Sequence, residues 1–323
     1  MSTPKTLLQI VNAAQSELGL TQSTTVFGNT SDVSAQQFLS LLNSAGEELR
    51  DYAEGGWMNM QVEFNLVVNA PITNTTGNLG LNSAVITNIQ PNTTGIVAGT
   101  FVVSGASIPT AARIKSVDNA NQVTMTMEAA AAATSTPLVF SQDTYAIPSD
   151  YKYTQNRTWW DRTNRWELLG PDSPQMDQWH RSGIVVTGPR RHFRQIGRAV
   201  PPLWRLWPPP SEIINPLQIV FEYISTDWVA TAAGTAAAFT ADTDTSFLDD
   251  RALIMWLKWK RQAAKGFAYD VLRNDAMDFT DTLIARDGAA PTLSMVKRVH
   301  PIFISPANVQ DGFFPGPVGP NTG

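Results

Sequence analysis

The chain has 323 residues, 43% of them hydrophobic but only 16% charged, against the roughly 25% charged residues usual in soluble domains. At roughly 150 residues per domain this length suggests about two domains, and the low charge fraction points to neutral surface packed against partners. With 23 basic and 28 acidic residues the net charge is −5, which argues against a general nucleic-acid binder but allows a DNA conduit whose wall repels phosphate.

Cysteine is absent, which excludes disulfides, zinc–thiolate sites and thiol catalysis. No run of about 18 apolar residues occurs, so no membrane insertion is expected. The opening "MSTPKTLLQIVNAAQSELGL" spaces its apolar positions instead of running them together. No signal peptide is expected, and synthesis in the cytoplasm follows.

Taken in chain order, residues 1–20 predict a helix. Thr3 and Pro4 serve as its cap and first turn, Leu7, Leu8, Val11, Ala14 and Leu18 share one face, and Gly19 stops it. Ser31 to Glu54 predicts a second helix with a stripe of Phe38, Leu41, Leu42, Ala45 and Leu49. "MQVEFNLVV" then alternates as a strand. From Ala70 the composition changes: residues 70–141 carry only Arg113, Lys115, Asp118 and Glu128 as charges. The runs "AVITNI", "TFVVSG", "RIKSV", "QVTMTM" and "LVFSQ" predict a small antiparallel β-sandwich, with a hairpin turn at Asn119 to Asn121. "EAAAAAT" is too short and too strand-flanked for a helix and is expected to be a loop.

Aromatic and charged residues return near Tyr145. Ser173 and Pro174 open a short helix that Gly183 ends. "GIVVTG", "RHFRQIG", "LWRLWP" and "LQIVFEYIS" predict a β-meander separated by prolines. "AAGTAAAFTADTDTS" is expected to be a long loop. Ser246 and Asp249 open a C-terminal helix of about seven turns, bent at Gly266, with Trp256, Trp259, Ala263, Phe267 and Val271 on its apolar face. The tail "DGFFPGPVGPNTG" predicts an extended arm. The expected class is therefore α+β. A discontinuous core at 1–69 and 142–287, a helical bundle with a β-meander, is interrupted by the 70–141 β-sandwich and followed by an arm at 288–323.

The chain holds no P-loop, no G-x-S-x-G elbow and no H-E-x-x-H. Asp242 and Asp244 have the spacing that starts a calcium loop, but Phe247 and Leu253 stand where an EF-hand needs Gly and Glu. Asp residues near a helix N-terminus explain them better. His180 and His192 could meet in space, yet no acidic companion is suitably spaced, so they and His300 are expected at a surface or interface. No catalytic, cofactor or metal residue is assigned.

The strongest local signal is "RTWWDRTNRWELLGPDSPQMDQWHRSG", which holds four of the ten tryptophans. Residues 157–205 contain nine Arg and no Lys, against Asp161, Glu167, Asp172 and Asp177. Exclusive use of Arg suggests bidentate pairing or stacking on Trp. A phosphate-binding stripe of Arg190, Arg191, Arg194 and Arg198 is one reading; pairing with carboxylates of the fold or of a neighbouring subunit is the favoured one. Trp159, Trp166, Trp256 and Trp259 are candidate core residues, with Trp159 and Trp166 packing strands against the long helix. Asp161, Arg162, Arg165, Arg190, Arg191 and Arg194 are candidates for a subunit interface.

"TWWDRTNRWELLGPDSPQMDQWHRSG" followed by "GPRRHFRQIG" resembles the head-to-tail adaptors of tailed bacteriophages, in particular the tail accessory factors that extend the portal ring in short-tailed phages. "IPSDY", "LWPPP", "FEYIS" and "FTADTDTSFLDDRALIMWLKWKRQAAKGFAY" extend the resemblance over about 145–270, together with the two N-terminal helices. The insertion departs from the minimal adaptor and resembles a small β-module found among phage structural proteins. The resemblance implies a non-enzymatic virion protein at the head–tail junction, made in the bacterial host cytoplasm. It implies a ring, most often of twelve subunits, docked beneath the portal protein. The lumen would pass genomic DNA without sequence-specific binding, and the rim would seat tail or nozzle proteins and tail fibres. The arm, with Phe303, Phe313 and Phe314 as anchors, suits a strap that orders on a neighbour. A peptidoglycan hydrolase using a carboxylate pair from Glu47, Glu48, Asp161 or Glu167, and a carbohydrate-binding tail protein using the tryptophans, are the alternatives.

Overall fold

The computed structural model describes residues 3–53, 56–155, 157–183, 191–196, 203–210 and 217–287. Helix α1 spans Leu7–Glu17 and α2 spans Val33–Tyr52. Strand β1 is Gln61–Val68. Six strands follow: β2 (Ile72–Leu79), β3 (Val85–Gln90), β4 (Phe101–Gly105), β5 (Ile114–Asn119), β6 (Gln122–Met125) and β7 (Ala133–Gln142). After β8 (Thr144–Ala146), β9 (Tyr151–Thr154), β10 (Trp160–Asp161) and β11 (Trp166–Glu167) comes the short helix α3 (Pro174–His180). Then come β12 (His192–Ile196), β13 (Leu203–Trp207), β14 (Leu217–Ser225), β15 (Val229–Thr231), β16 (Gly234–Ala236) and β17 (Thr245–Ser246). Helices α4 (Asp250–Ala264) and α5 (Asp270–Asp287) follow. The class is mixed α and β with antiparallel sheets. No helix among the described residues is long and apolar enough to cross a membrane.

Local chemistry sets the helix ends. The cap of α1 is Thr6, not the expected Thr3: its hydroxyl accepts from Gln9 N while Gln9 Oε1 accepts from Thr6 N, a reciprocal capping box. Asp32 caps α2 by accepting from Ser34 N and Ala35 N. Asp249 alone caps α4, through Arg251 N and Ala252 N; the Ser246 hydroxyl accepts from Leu248 N instead. The single long C-terminal helix is two helices. Gly266 takes φ +73°, a left-handed conformation that ends α4, and α5 folds back so that Trp256 Nε1 donates to Thr280 Oγ1 at 2.9 Å. Phe267 and Val271 consequently leave the apolar face and are 63% and 73% exposed.

The three hydrophobic clusters differ in origin. The first joins α1, α2, α4 and α5 to Trp57, Met60, Trp228, Val229 and Phe239, so helices and loop residues share one interior. The second is built from strand residues around Trp159, Trp204 and Phe221. The third lies wholly within residues 72–140. Trp256 is buried in the first cluster and Trp259 packs half-buried against it.

The expected β-meander is split. β13 pairs with β12 and β8, whereas β14 pairs with β1, β9 and β10 in a separate sheet of order β1-β14-β10-β11. β1 and β14 align in unbroken register from Gln61↔Ile224 to Val68↔Leu217. The "GIVVTG" run lies outside the described residues. The expected long loop before α4 contains two short strands, β16 and β17, which both pair with β15 just ahead of it. The 70–141 segment is not two packed sheets. It forms one six-stranded sheet of order β4-β7-β2-β3-β6-β5. Its two edges meet again through a Val102↔Arg113 bridge and a Val103 N to Ala112 O bond of 2.9 Å. Curling encloses Ile86, Ile89, Ile114, Val123, Leu138 and Phe140, which a flat sheet of this size would leave wet on one face. The polar strand β2 escaped the sequence pattern because its Thr75 hydroxyl satisfies itself on Leu138 O at 2.7 Å.

Gly46 sits inside α2 where the Trp228 ring lies flush against the helix; a Cβ there would overlap the ring. In an open helix Gly→Ala gains about 1 kcal/mol. Here overpacking against a fully buried tryptophan dominates. Gly46→Ala should cost about 1–3 kcal/mol in urea unfolding; an unchanged or raised midpoint would contradict this contact.

Candidate functional site

Alternation along β13 divides its side chains between two environments. Trp204 and Leu206 enter the second cluster, and Arg205 turns to the opposite face. On the cluster side, Trp159 lies between Phe221 and Phe193, with ring centroids at 3.9 and 4.3 Å and planes within 18° of parallel. Trp204 closes the stack at 4.8 Å. The Trp159 Nε1 donates to Thr154 Oγ1 at 2.9 Å, which satisfies its one polar atom. Trp159 thus joins strands to strands, not strands to the long helix. Trp166 is not core: it stands on the edge strand β11 and is 36% exposed, as is Trp160.

On the other face, Arg205 Nη1 donates to Asp177 Oδ2 at 3.4 Å, and its Nε lies 3.8 Å from Asp143 Oδ2. Asp177, on α3, also accepts from Arg194 Nη1 at 2.8 Å and lies 3.8 Å from Arg181 Nη1. Asp143 accepts from Arg113 Nη1 at 2.6 Å and from the Thr144 hydroxyl at 2.8 Å. Arg113 further donates to Gly99 O and to Thr144 Oγ1. Arg181 reaches Ala111 O at 3.4 Å while its guanidinium lies over the Trp207 ring. Residues of the curled sheet, of α3 and of β12–β13 therefore meet in one buried ionic layer. Burial pushes the Asp143 carboxyl up, against the pull of Arg113 and the Thr144 hydroxyl. Burial, then the neighbouring Arg113 and Arg181, pushes Arg205 down to about 10, which leaves it charged at neutral pH.

The candidate interface residues are thus largely turned inward. Arg191 is buried and lies 3.6 Å from Asp161. Asp161 is itself buried and accepts from Asn164 N and Nδ2, both at 2.9 Å. Arg194 belongs to the Asp177 group. Arg162 is exposed and forms a long 3.8 Å pair with the exposed Glu63. Arg165 is exposed in the turn between β10 and β11, at φ +61°. Arg190, Arg198, Phe303, Phe313, Phe314 and the arm lie outside the described residues.

Three of the four carboxylates considered for hydrolysis, Asp161, Glu167 and Glu48, are engaged elsewhere. Glu167 pairs with Arg157 at 3.2 Å, and Glu48 pairs with Lys260 at 2.6 Å. Asp242 accepts from Val26 N and Phe27 N, and Asp244 from Thr240 N and Ala241 N. Both therefore order loops around α1 and α4, as their position near a helix N-terminus suggested.

The histidines depart from expectation. His180 and His192 do meet, with ring centroids 4.1 Å apart, and Asp172 is the acidic companion that spacing did not reveal. A parallel bridge between Leu169 and His192 draws the two segments together, a contact no local pattern encodes. Burial, then the adjacent His192, pushes His180 down from the usual imidazole range. No family model matches this chain, and no curated protein matches it.

Asp177 is the carboxylate facing Arg181, Arg194 and Arg205 together. Asp177→Ala should therefore cost about 3–5 kcal/mol in urea unfolding, because it leaves buried cations without their partner. Arg162→Ala, at an exposed pair, should cost less than about 1 kcal/mol. Equal effects of the two substitutions would contradict this division.

Proposed function

We propose that this chain is a structural virion protein, a head-to-tail adaptor that assembles as a ring beneath the portal, extends the DNA channel and seats tail components. The observation that carries the reading is the internal pairing of Arg113 and of four arginines of the Arg-rich stretch. Arg113, Arg181, Arg191, Arg194 and Arg205 all face carboxylates of their own chain. A layer of this kind stiffens a scaffold; it does not form a phosphate-gripping stripe, which would slow a moving duplex. The acidic net charge agrees with a channel that lets DNA pass.

The order of the quoted motifs supports the same family. In this reading residues 1–69 and 142–287 form the adaptor core, residues 70–141 an inserted module, and residues 288–323 a strap onto a neighbour. Twelve copies, the number the family most often uses, would close through a head-to-tail interface. Phe267 and Val271 at the α4–α5 corner, with Trp160, Trp166 and Trp179, supply exposed apolar surface for such contacts. The portal is the partner on one side and tail proteins on the other. No catalytic role is assigned.

Deletion of residues 288–323 should weaken ring assembly or portal docking. Negative-stain microscopy of the truncated chain mixed with portal measures this. Rings and complexes as abundant as with the full chain would overturn the strap, and a clearing band on a peptidoglycan zymogram would overturn the non-enzymatic reading.

A further inference from the structure

We propose that Asp172, His180 and His192 form a binding site for one divalent transition-metal ion of the zinc type, which clips α3 to β12. Their ligand atoms all lie within 4.8 Å of one another. His192 Nδ1 stands 3.3 Å from the Asp172 carboxylate, and His180 Nε2 stands 3.7 Å from Asp172 Oδ2. A tetrahedral ion held at about 2.0–2.1 Å by nitrogen and oxygen spaces its donor atoms roughly 3.3 Å apart. The three groups are thus already near the separations such an ion imposes.

The second observation is an unsatisfied imidazole. His180 is only 8% exposed, yet neither Nδ1 nor Nε2 has a hydrogen-bond partner among the described residues. Its Nε2 is too far from Asp172 for a hydrogen bond. Buried polar atoms almost always have partners, and an orphan of this kind calls for an explanation such as an ion.

The surrounding backbone holds the three donors in place. Asp172 N donates to Phe193 O at 2.9 Å, tying the carboxylate to β12 beside His192. Ser173 caps α3 and Pro174 begins it, which fixes the short helix between Asp172 and His180. At the other end of α3, the His180 carbonyl accepts from Trp207 Nε1 at 3.1 Å.

Two imidazoles and one carboxylate suit Zn²⁺, Co²⁺, Ni²⁺ or Cu²⁺, whereas Ca²⁺ and Mg²⁺ require mainly oxygen donors. Three protein donors leave a fourth position for water or for a donor from another chain. No catalytic step is attached to the ion: its role here is to fasten α3 to β12 beside the Arg194–Asp177 ion pair that already links them.

The test uses the full chain, stripped with chelator and desalted, and titrated with Zn²⁺ by calorimetry. One equivalent should bind and raise the thermal midpoint by several degrees, as ligand binding to the folded state requires. Substituting outer-shell partners of a metal site costs 10–100-fold in affinity, so His192→Gln and Asp172→Asn should each weaken binding at least about 100-fold. Circular dichroism checks that both variants fold. If either does not, X-ray absorption of the Zn²⁺-loaded natural chain decides: two imidazoles in the shell support the site, and any other number overturns it. Absence of Zn²⁺ binding, or equal binding by the folded variants, also overturns it.

Discussion

Arg205 lies between two buried carboxylates, 3.4 Å from Asp177 and 3.8 Å from Asp143, and the arrangement of the surrounding elements depends on that position. A buried ion is tolerable only with partners in place, because its lost hydration must be offset by charges and hydrogen bonds. Asp177 brings α3, and Asp143 brings Arg113 from the edge of the curled sheet. Neither carboxylate could be moved without leaving a cation behind. The pairing therefore locates three elements that share no hydrophobic cluster.

The same strand joins this layer to the apolar interior. Trp204, next to Arg205, closes the stack of Trp159 between Phe193 and Phe221. Phe221 belongs to β14, which runs in full register with β1. β14 then ends near Trp228, which packs into the cleft that Gly46 leaves in α2. β14 thus links the two interiors, carrying Phe221 into the aromatic stack and Ile224 into the helical cluster.

Much of this was legible from residue patterns. The two N-terminal helices follow from spacing at Leu7, Val11, Phe38, Leu42 and Leu49, and α3 from Ser173-Pro174. The use of Arg without Lys over residues 157–205 pointed towards pairing, which Arg191 and Arg194 show. What escaped was non-local. Sheet membership of β13 and β14 depends on partners far along the chain, β8 and β1, which neither strand's own pattern names. The closure of the six-stranded sheet rests on a single bridge between Val102 and Arg113. The break at Gly266 was visible as a bend, but a bend and a reversal have the same local sequence; the packing of Ala276 into the first cluster and the Trp256–Thr280 bond separate them. Asp172 was hidden beside His180 and His192 because a parallel bridge, not a spacing, unites them.

The proposed adaptor role requires a chain that holds its shape while neighbours and DNA load it, and an internally paired charge layer suits that demand. The central claim is that these charges are architectural. A double-mutant cycle on Arg113→Met and Asp143→Asn, read by urea unfolding, tests it most directly, since this 2.6 Å pair joins the curled sheet to the remainder. The account predicts a coupling energy of at least about 1.5 kcal/mol between the two positions. Additive effects, with coupling within about 0.5 kcal/mol of zero, would contradict it.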